Sequence, residues 1–322
     1  MSPETVRALS ATPCGRSSEA ILLAHHRGRS ARLLALSITL LLPTACGSGG
    51  PSKGSIAALK RGAATYSLVQ AQSALAVGTS RLAFGMVPPN GAIRVGGAPQ
   101  VWVARNEKAR ALGPFRARWV TWSPPKGDAT GVAPIPGFYV ADVTTPTSGN
   151  WTILARDEEQ GKPIAALAAI PVTDHPVAAV GSPALSEATP VATTPEQAKG
   201  IDTRDPPTPM HYVSLDAALR NGLPTVLVFA TPLLCQSRLC GPVVDEVLNS
   251  YDRLGRTRAN FVDVEIYPQR DANKPAPEFL RWGFESEPWV LLIDKGGVIR
   301  ARFEGPVAAS EIDDALRPLL AA

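Results

Sequence analysis

Two cysteines in the run Phe229-Ala230-Thr231-Pro232-Leu233-Leu234-Cys235-Gln236-Ser237-Arg238-Leu239-Cys240-Gly241-Pro242 are the residues best placed to do chemistry. An apolar β-type stretch, Thr225 to Phe229, precedes them and a helical pattern follows. Such a strand-to-helix junction exposes a thiol beside the positive end of a helix, which favours the thiolate that attacks disulfides. Cys235 and Cys240 can therefore exchange disulfides with other molecules or staple the fold to itself. Five residues along an intact α-helix place Cα atoms about 8 Å apart, beyond what a disulfide bridges. Cys235 is thus expected in the turn before the helix, unless the first helical turn unwinds when a bond closes.

The compartment decides what the pair means. His25-His26-Arg27-Gly28-Arg29-Ser30-Ala31-Arg32 is basic and Leu33 to Leu42 is apolar but too short to span a bilayer, so residues 1–45 read as a signal peptide and pre-region. Leu42-Pro43-Thr44-Ala45-Cys46, followed by Gly47-Ser48-Gly49-Gly50, resembles a bacterial lipobox, with Pro43 where an aliphatic residue is usual. The resemblance implies lipidation of Cys46 and an exported protein anchored to the membrane. The plainer reading is a secretory cut near Ala45 that leaves Cys46 a free thiol. Cys14 lies in the segment to be removed, so Cys235 and Cys240 remain as an even pair in an oxidising compartment, where a disulfide is the default. The net charge is +4, of which residues 1–45 carry +3. That balance leaves no electrostatic case for nucleic acid as a partner.

The elements that must hold the pair follow from periodicity and turn residues. Residues 46–79 read as a tether, rich in Gly, Ser and Pro to about Gly54 and Ala-rich from Ile56 to Val77, with room for a short helix within that stretch. In residues 80–172 short β-type runs alternate with turn signals: Leu82 to Val87, Gln100 to Ala104, Phe115 to Trp122, Gly137 to Thr144, Trp151 to Arg156 and Ile164 to Val172. This spacing argues for an all-β antiparallel sandwich. Pro136-Gly137-Phe138-Tyr139-Val140-Ala141-Asp142-Val143, with Gly149-Asn150-Trp151-Thr152-Ile153, resembles the closing strands of small immunoglobulin-like domains of bacterial envelope proteins. Trp102, Trp119, Trp122 and Trp151 read as core and strand-pairing aromatics rather than a binding surface. Residues 173–210, full of Pro, Thr and Ala without periodicity, read as an extended linker that uncouples two domains.

Residues 211–322 carry the order βα, β, α, ββ, α: a strand to Thr231, a helix over Cys235 to Leu254, a strand Ala259 to Ile266, a short helix Glu278 to Trp282, a strand Trp289 to Asp294, a turn into Val298 to Phe303, and a last helix opened by Ser310-Glu311-Ile312-Asp313. With the strand-cysteine-helix junction, Pro242 inside the first long helix, Glu287-Pro288 before a strand and Phe303-Glu304-Gly305 after the hairpin, the segment from about Tyr212 to Leu320 resembles the thioredoxin-like superfamily. The resemblance implies an α/β domain in which Pro288 is cis and faces the active cysteine, with the Glu287 backbone beside Cys235 to receive substrate. Four residues separate the cysteines where thioredoxin itself has two. Val228 also stands where that family carries a buried proton-shuttling carboxylate.

The five-residue offset is similar to the cysteine pair of a peroxiredoxin subgroup, but Pro232 replaces its Thr and Pro288-Trp289-Val290 lacks its Arg, which removes the donors a peroxide needs. A copper-carrying thioredoxin-like protein would need Met210 or His211 as a further ligand, since no His follows. The chain is therefore expected to be multidomain, an all-β immunoglobulin-like sandwich followed by an α/β thioredoxin-like domain, exported and lipid-anchored. Its expected activity is thiol-disulfide exchange with protein thiols or disulfides of the cell envelope, Cys235 attacking and Cys240 resolving, with no cofactor and no metal. The competing expectation is a non-catalytic binding or scaffold module with a structural Cys235–Cys240 bond.

Overall fold

The structure is a computed structural model that describes residues 51–123 and 135–321. The export signal, the lipobox and Cys46 lie outside the described residues. Among the described residues no helix is long and apolar enough to cross a membrane.

The chain opens with a single helical turn, α1 (Ile56–Leu59), capped by the Ser55 hydroxyl, and then enters strand β1 (Ala64–Gln70). This strand falls inside the stretch expected as tether. The reason is visible along it: Tyr66 and Leu68 are buried while Thr65, Ser67 and Val69 are exposed, a period of two that the neighbouring alanines obscure. Eight more strands complete the lobe among the described residues: β2 (Leu75–Ala76), β3 (Gly78–Val87), β4 (Gln100–Ala104), β5 (Leu112–Arg116), β6 (Arg118–Thr121), β7 (Gly137–Thr145), β8 (Gly149–Glu159) and β9 (Lys162–Thr173). They pair in the order β5-β4-β8-β9-β1-β3-β7-β6, with β2 on β9.

Strand β1 belongs to two layers. Ala64 to Ser67 run parallel to Ile164–Leu167 of β9, and Ser67 to Gln70 run antiparallel to Phe84–Val87 of β3. Val101, Val103, Ile153, Ala155 and Ile170 from one layer share a core with Leu82, Phe84, Tyr139, Ala141 and Val143 from the other, so the sheet packs on itself face to face. Trp102, Trp122 and Trp151 are buried and Trp119 packs edge-on to Tyr139, as core and pairing aromatics should.

Strand β7 is buried on both faces, and that couples the two lobes. Tyr139 and Ala141 point into the β lobe, while Phe138 and Val140 alternate to the far side and join Ala83, Val120 and Trp122 in a core with Val226, Val228, Val290 and Val307 of the C-terminal lobe. Each of the larger of these side chains, the valines and Phe138, contributes about 1.5–3 kcal/mol when fully buried. Polar pairs lock the same seam: Arg81 on β3 donates to both carboxylate oxygens of Glu311 at 3.0 and 2.9 Å, and the Trp122 indole donates to the Val307 carbonyl at 3.0 Å. The linker expected to uncouple two domains therefore does not do so, and the described residues form one compact unit.

That linker instead straps the C-terminal lobe. Gly181 and Ala184 bond to Ile299 and Gly297, a turn α2 (Pro195–Ala198) is capped by Thr194, and Asp202, Thr203, Arg204 and Thr208 are buried. After another turn, α3 (Leu215–Ala218), come strand β10 (Thr225–Ala230), helix α4 (Cys240–Leu254), strand β11 (Asn260–Glu265), helix α5 (Pro277–Arg281), strands β12 (Trp289–Ile293) and β13 (Ile299–Glu304), and helix α6 (Ala309–Ala321).

The element order is the expected βα, β, α, ββ, α. The sheet order is β11-β10-β12-β13, with β10 parallel to β11 and the other neighbours antiparallel. Every residue of β10 is buried because alternate residues serve two cores. Val226, Val228 and Ala230 face α4, α6 and the β lobe, and Leu227 and Phe229 face an aromatic layer of Phe279, Trp282, Phe284 and Trp289.

Candidate functional site

Strand β10 ends at Ala230, the chain turns through residues 231–239, and Cys240 opens α4. The helix starts five residues later than expected, which puts Cys235 in the preceding turn. Pro242 sits in the first helical turn, where its missing N–H breaks no helical bond. Leu239 at the N-cap offers no side-chain acceptor, so the first N–H of the helix needs another partner. It finds Cys235: the Cys240 backbone N–H donates to Cys235 Sγ at 3.2 Å. The Ser237 hydroxyl lies 3.3 Å from the same sulfur and 3.4 Å from the Glu287 carbonyl oxygen, with one proton to share.

These contacts make the two thiols unlike. A hydrogen bond from the Cys240 thiol, then the Ser237 hydroxyl and the backbone N–H groups of Cys240 and Leu239, bring Cys235 down to about 6 against the opposing effect of burial. No cation takes a leading part; Arg238, adjacent in sequence, adopts a left-handed φ of 61° in the exposed turn. Cys240 is fully buried, and that burial, with the neighbouring sulfur, pushes its thiol well above the ordinary range. The half-buried Cys235 is the accessible, acidic thiol and Cys240 the protected one.

The segment before β12 completes the site. The Glu287-Pro288 bond is cis. The Glu287 carboxylate accepts the Gln236 N–H at 3.2 Å, and its oxygen and the two sulfurs all lie within 4.8 Å of one another. Sequence reasoning brought the backbone of Glu287 to the thiol; the structure brings its side chain as well. Burial, then repulsion from the Cys235 sulfur, raise the Glu287 carboxyl to about 7.

Glu265, at the end of β11 beside Ala230, was missed. It carries no local motif, and only strand pairing places it near the turn. Its carboxylate accepts the Thr203 N–H at 2.9 Å, the Thr203 hydroxyl and the Tyr267 N–H at 2.9 Å, which ties the strap to the floor of the site. Val228, where a shuttling carboxylate was absent from the sequence, is fully buried among apolar side chains.

Two groups among the described residues have the donors and spacing to hold a metal ion: Cys235, Cys240 and Glu287, and Asp202, His211 and Asp263. The copper alternative needed Met210 or His211 beside the thiols, and neither is in the thiol group. Met210 is fully buried in the core, and His211 is engaged elsewhere. Its Nε2 bonds Asp202 at 3.0 Å and lies 3.8 Å from Asp263. Burial opposes its charge, but the Asp202 hydrogen bond and the Asp263 and Asp202 charges together raise its pKa above the ordinary value. Thr208 adds an N–H to Asp202 and a hydroxyl to Asp263, both at 2.8 Å, so this cluster is an ionic clamp on the strap, with His211 Nδ1 buried and without a hydrogen bond among the described residues.

A cleft of about 950 Å³ opens beside the thiols. One wall is Gln236, Ser237, Leu239 and Glu287; the other comes from the β lobe, including Val69, Phe84 and Phe138.

No protein-family model matches the chain, and no curated protein does. Among solved structures it is similar to a secreted thiol-disulfide isomerase from Corynebacterium glutamicum, at 13% identity over 34% of this chain and 77% of that one, with a TM-score of 0.28. That likeness is too slight to bear on this chain's chemistry.

Proposed function

We propose that this chain is an exported thioredoxin-like protein that carries out thiol-disulfide exchange through Cys235 and Cys240. The observation that carries the reading is the asymmetry of the pair: a half-buried thiol brought down to about 6 beside a fully buried thiol pushed well up. A thiol that is mostly thiolate at neutral pH attacks a substrate disulfide, and a shielded neighbour five residues on resolves the mixed disulfide. A staple has no use for that difference. We further read the β lobe, two layers sharing β1, as immunoglobulin-like, and the partner as a cysteine-bearing polypeptide of the cell envelope lying in the cleft between the lobes.

The test is trapping with single variants. Cys240→Ser is expected to accumulate mixed disulfides with envelope proteins, and Cys235→Ser none. If the bond is structural, both variants instead lose about 2 kcal/mol of stability and trap nothing. The anchor is tested separately: Cys46→Ser should release the protein from the membrane fraction, and unchanged membrane association would overturn lipidation.

A further inference from the structure

In the exchange reading, the resolving step has an unmet need. Cys240 is buried and its thiol is held protonated, yet it must become a thiolate to attack the mixed disulfide on Cys235. The strand beneath it offers no base, because Val228 is apolar and fully buried.

Among the described residues, three elements face the pair. The turn before α4 contributes Cys235 itself, Ser237 and the cation Arg238, none of which is a base for Cys240. From the end of β11, Glu265 already accepts two bonds from Thr203 and one from Tyr267. Tyr267 lies close enough to feel both sulfurs and Glu287, and burial, the larger cause, with those charges keeps its phenol protonated. The segment before β12 contributes Glu287, whose carboxylate oxygen is within 4.8 Å of both sulfurs and is aimed there by the Gln236 N–H. That separation is bridged by a small rotation or by one water.

We propose that Glu287 is the proton-transfer group of the thiol pair, its carboxylate taking the Cys240 proton during resolution and returning it to the departing substrate thiolate. This role rests on the exchange reading. The steps balance. Cys235 thiolate attacks one sulfur of a substrate disulfide, a new S–S bond forms, and the other substrate sulfur leaves as thiolate and takes a proton from solvent. Cys240 S–H gives its proton to the Glu287 carboxylate and attacks Cys235 Sγ. The Cys235–Cys240 bond forms, the mixed disulfide breaks, and the second substrate thiolate leaves with the proton from Glu287. The substrate disulfide is reduced by two electrons and the cysteine pair is oxidised by two.

The timing suits the carboxyl. While Cys235 is a thiolate its charge helps to hold Glu287 near 7, half protonated at neutral pH. Burial, the larger cause, remains once Cys235 is tied up in the mixed disulfide and its repulsion is gone, so the carboxylate is available and still basic near neutral pH when Cys240 needs it.

The experiment uses the intact reduced protein with oxidised glutathione as the probe disulfide. Attack by Cys235 is read from release of the first glutathione, and resolution from release of the second, each as a function of pH. In Glu287→Gln, attack should persist while resolution at pH 7 slows on the order of 100-fold and loses its inflection near pH 7, with Glu287→Asp restoring part of the rate. Equal resolution rates in wild type and Glu287→Gln would overturn the role alone. Slowing that is the same in Gln and Asp variants, with the wild-type pH profile retained, would also overturn it and make Glu287 structural. A wild-type protein that never forms the glutathione mixed disulfide would overturn the exchange reading and this role with it.

Discussion

The Cys235 sulfur takes its acidity from hydrogen bonds, and one of them can be removed without touching the backbone. Ser237 stands 3.3 Å from the sulfur. Removing a hydroxyl bonded to an anion costs about 1.5–3 kcal/mol of anion stabilisation, of which about 1.4 kcal/mol corresponds to one pKa unit. Ser237→Ala should therefore raise Cys235 by about one unit from about 6. Iodoacetamide alkylation at pH 6 should then slow about fivefold, and the two proteins should converge above about pH 8.5. An unchanged profile would mean that the helix N-terminus and the Cys240 thiol suffice. At this scale the sequence was partly legible: the residue types and the proline before β12 pointed to Cys235, Cys240, Glu287 and Pro288. The Glu287 carboxylate and Glu265 were not legible, because side-chain direction and strand neighbours are tertiary facts that no local spacing encodes.

Among the elements, the strands of the C-terminal lobe were legible because β10 and β12 are continuous apolar runs bounded by turn residues. Helix α4 was read five residues too long at its start, since the apolar pattern through Leu233 and Leu234 does not reveal that the chain is still turning. The strap hid for the opposite reason: it has no periodicity, and its contacts are scattered backbone bonds, single apolar side chains and buried ionic groups. His211 holds it between Asp202 and Asp263. A histidine whose folded pKa is raised contributes stability fully below its unfolded value of about 6.5, and loses it as pH rises through the folded value. His211→Ala should cost about 3–5 kcal/mol at pH 6, because the buried Asp202 carboxylate loses its charged partner, while Asp263, raised to about 7 by burial, is largely protonated there. The difference from wild type should shrink at pH 9. Urea denaturation of both proteins at the two pH values checks this, and a difference independent of pH would show the imidazole to be a packing group only.

At the scale of the molecule, the cleft exists only while the lobes stay docked, because each contributes one of its walls. Composition suggested a flexible linker between independent domains; the seam was illegible because it is made by the second face of β7, and one strand's alternation cannot tell a solvent face from an interlobe face. Arg81 is the group to remove. Its guanidinium binds Glu311 through two oxygens, donates to the Pro306 carbonyl at 2.8 Å, and lies between the rings of Phe138 on β7 and Phe303 on β13 at 5.6 and 5.4 Å. Arg81→Ala leaves the largely buried Glu311 carboxylate with only Arg118 at 3.1 Å and the Ala308 N–H at 3.2 Å, and opens a hole between two aromatic rings, a loss of about 2–3 kcal/mol at the seam. Because the β lobe has its own core around Tyr139 and Phe84, it should survive that loss. Calorimetry should then show the single transition of the wild type split into two, and reduced Cys235 should still be alkylated with its inflection near 6. Transfer to a protein disulfide should nonetheless slow more than transfer to glutathione, since only the larger substrate needs the wall that the β lobe supplies. One coincident transition in Arg81→Ala, with both transfers unchanged, would mean that the apolar seam alone holds the lobes and that Arg81 is dispensable to the cleft.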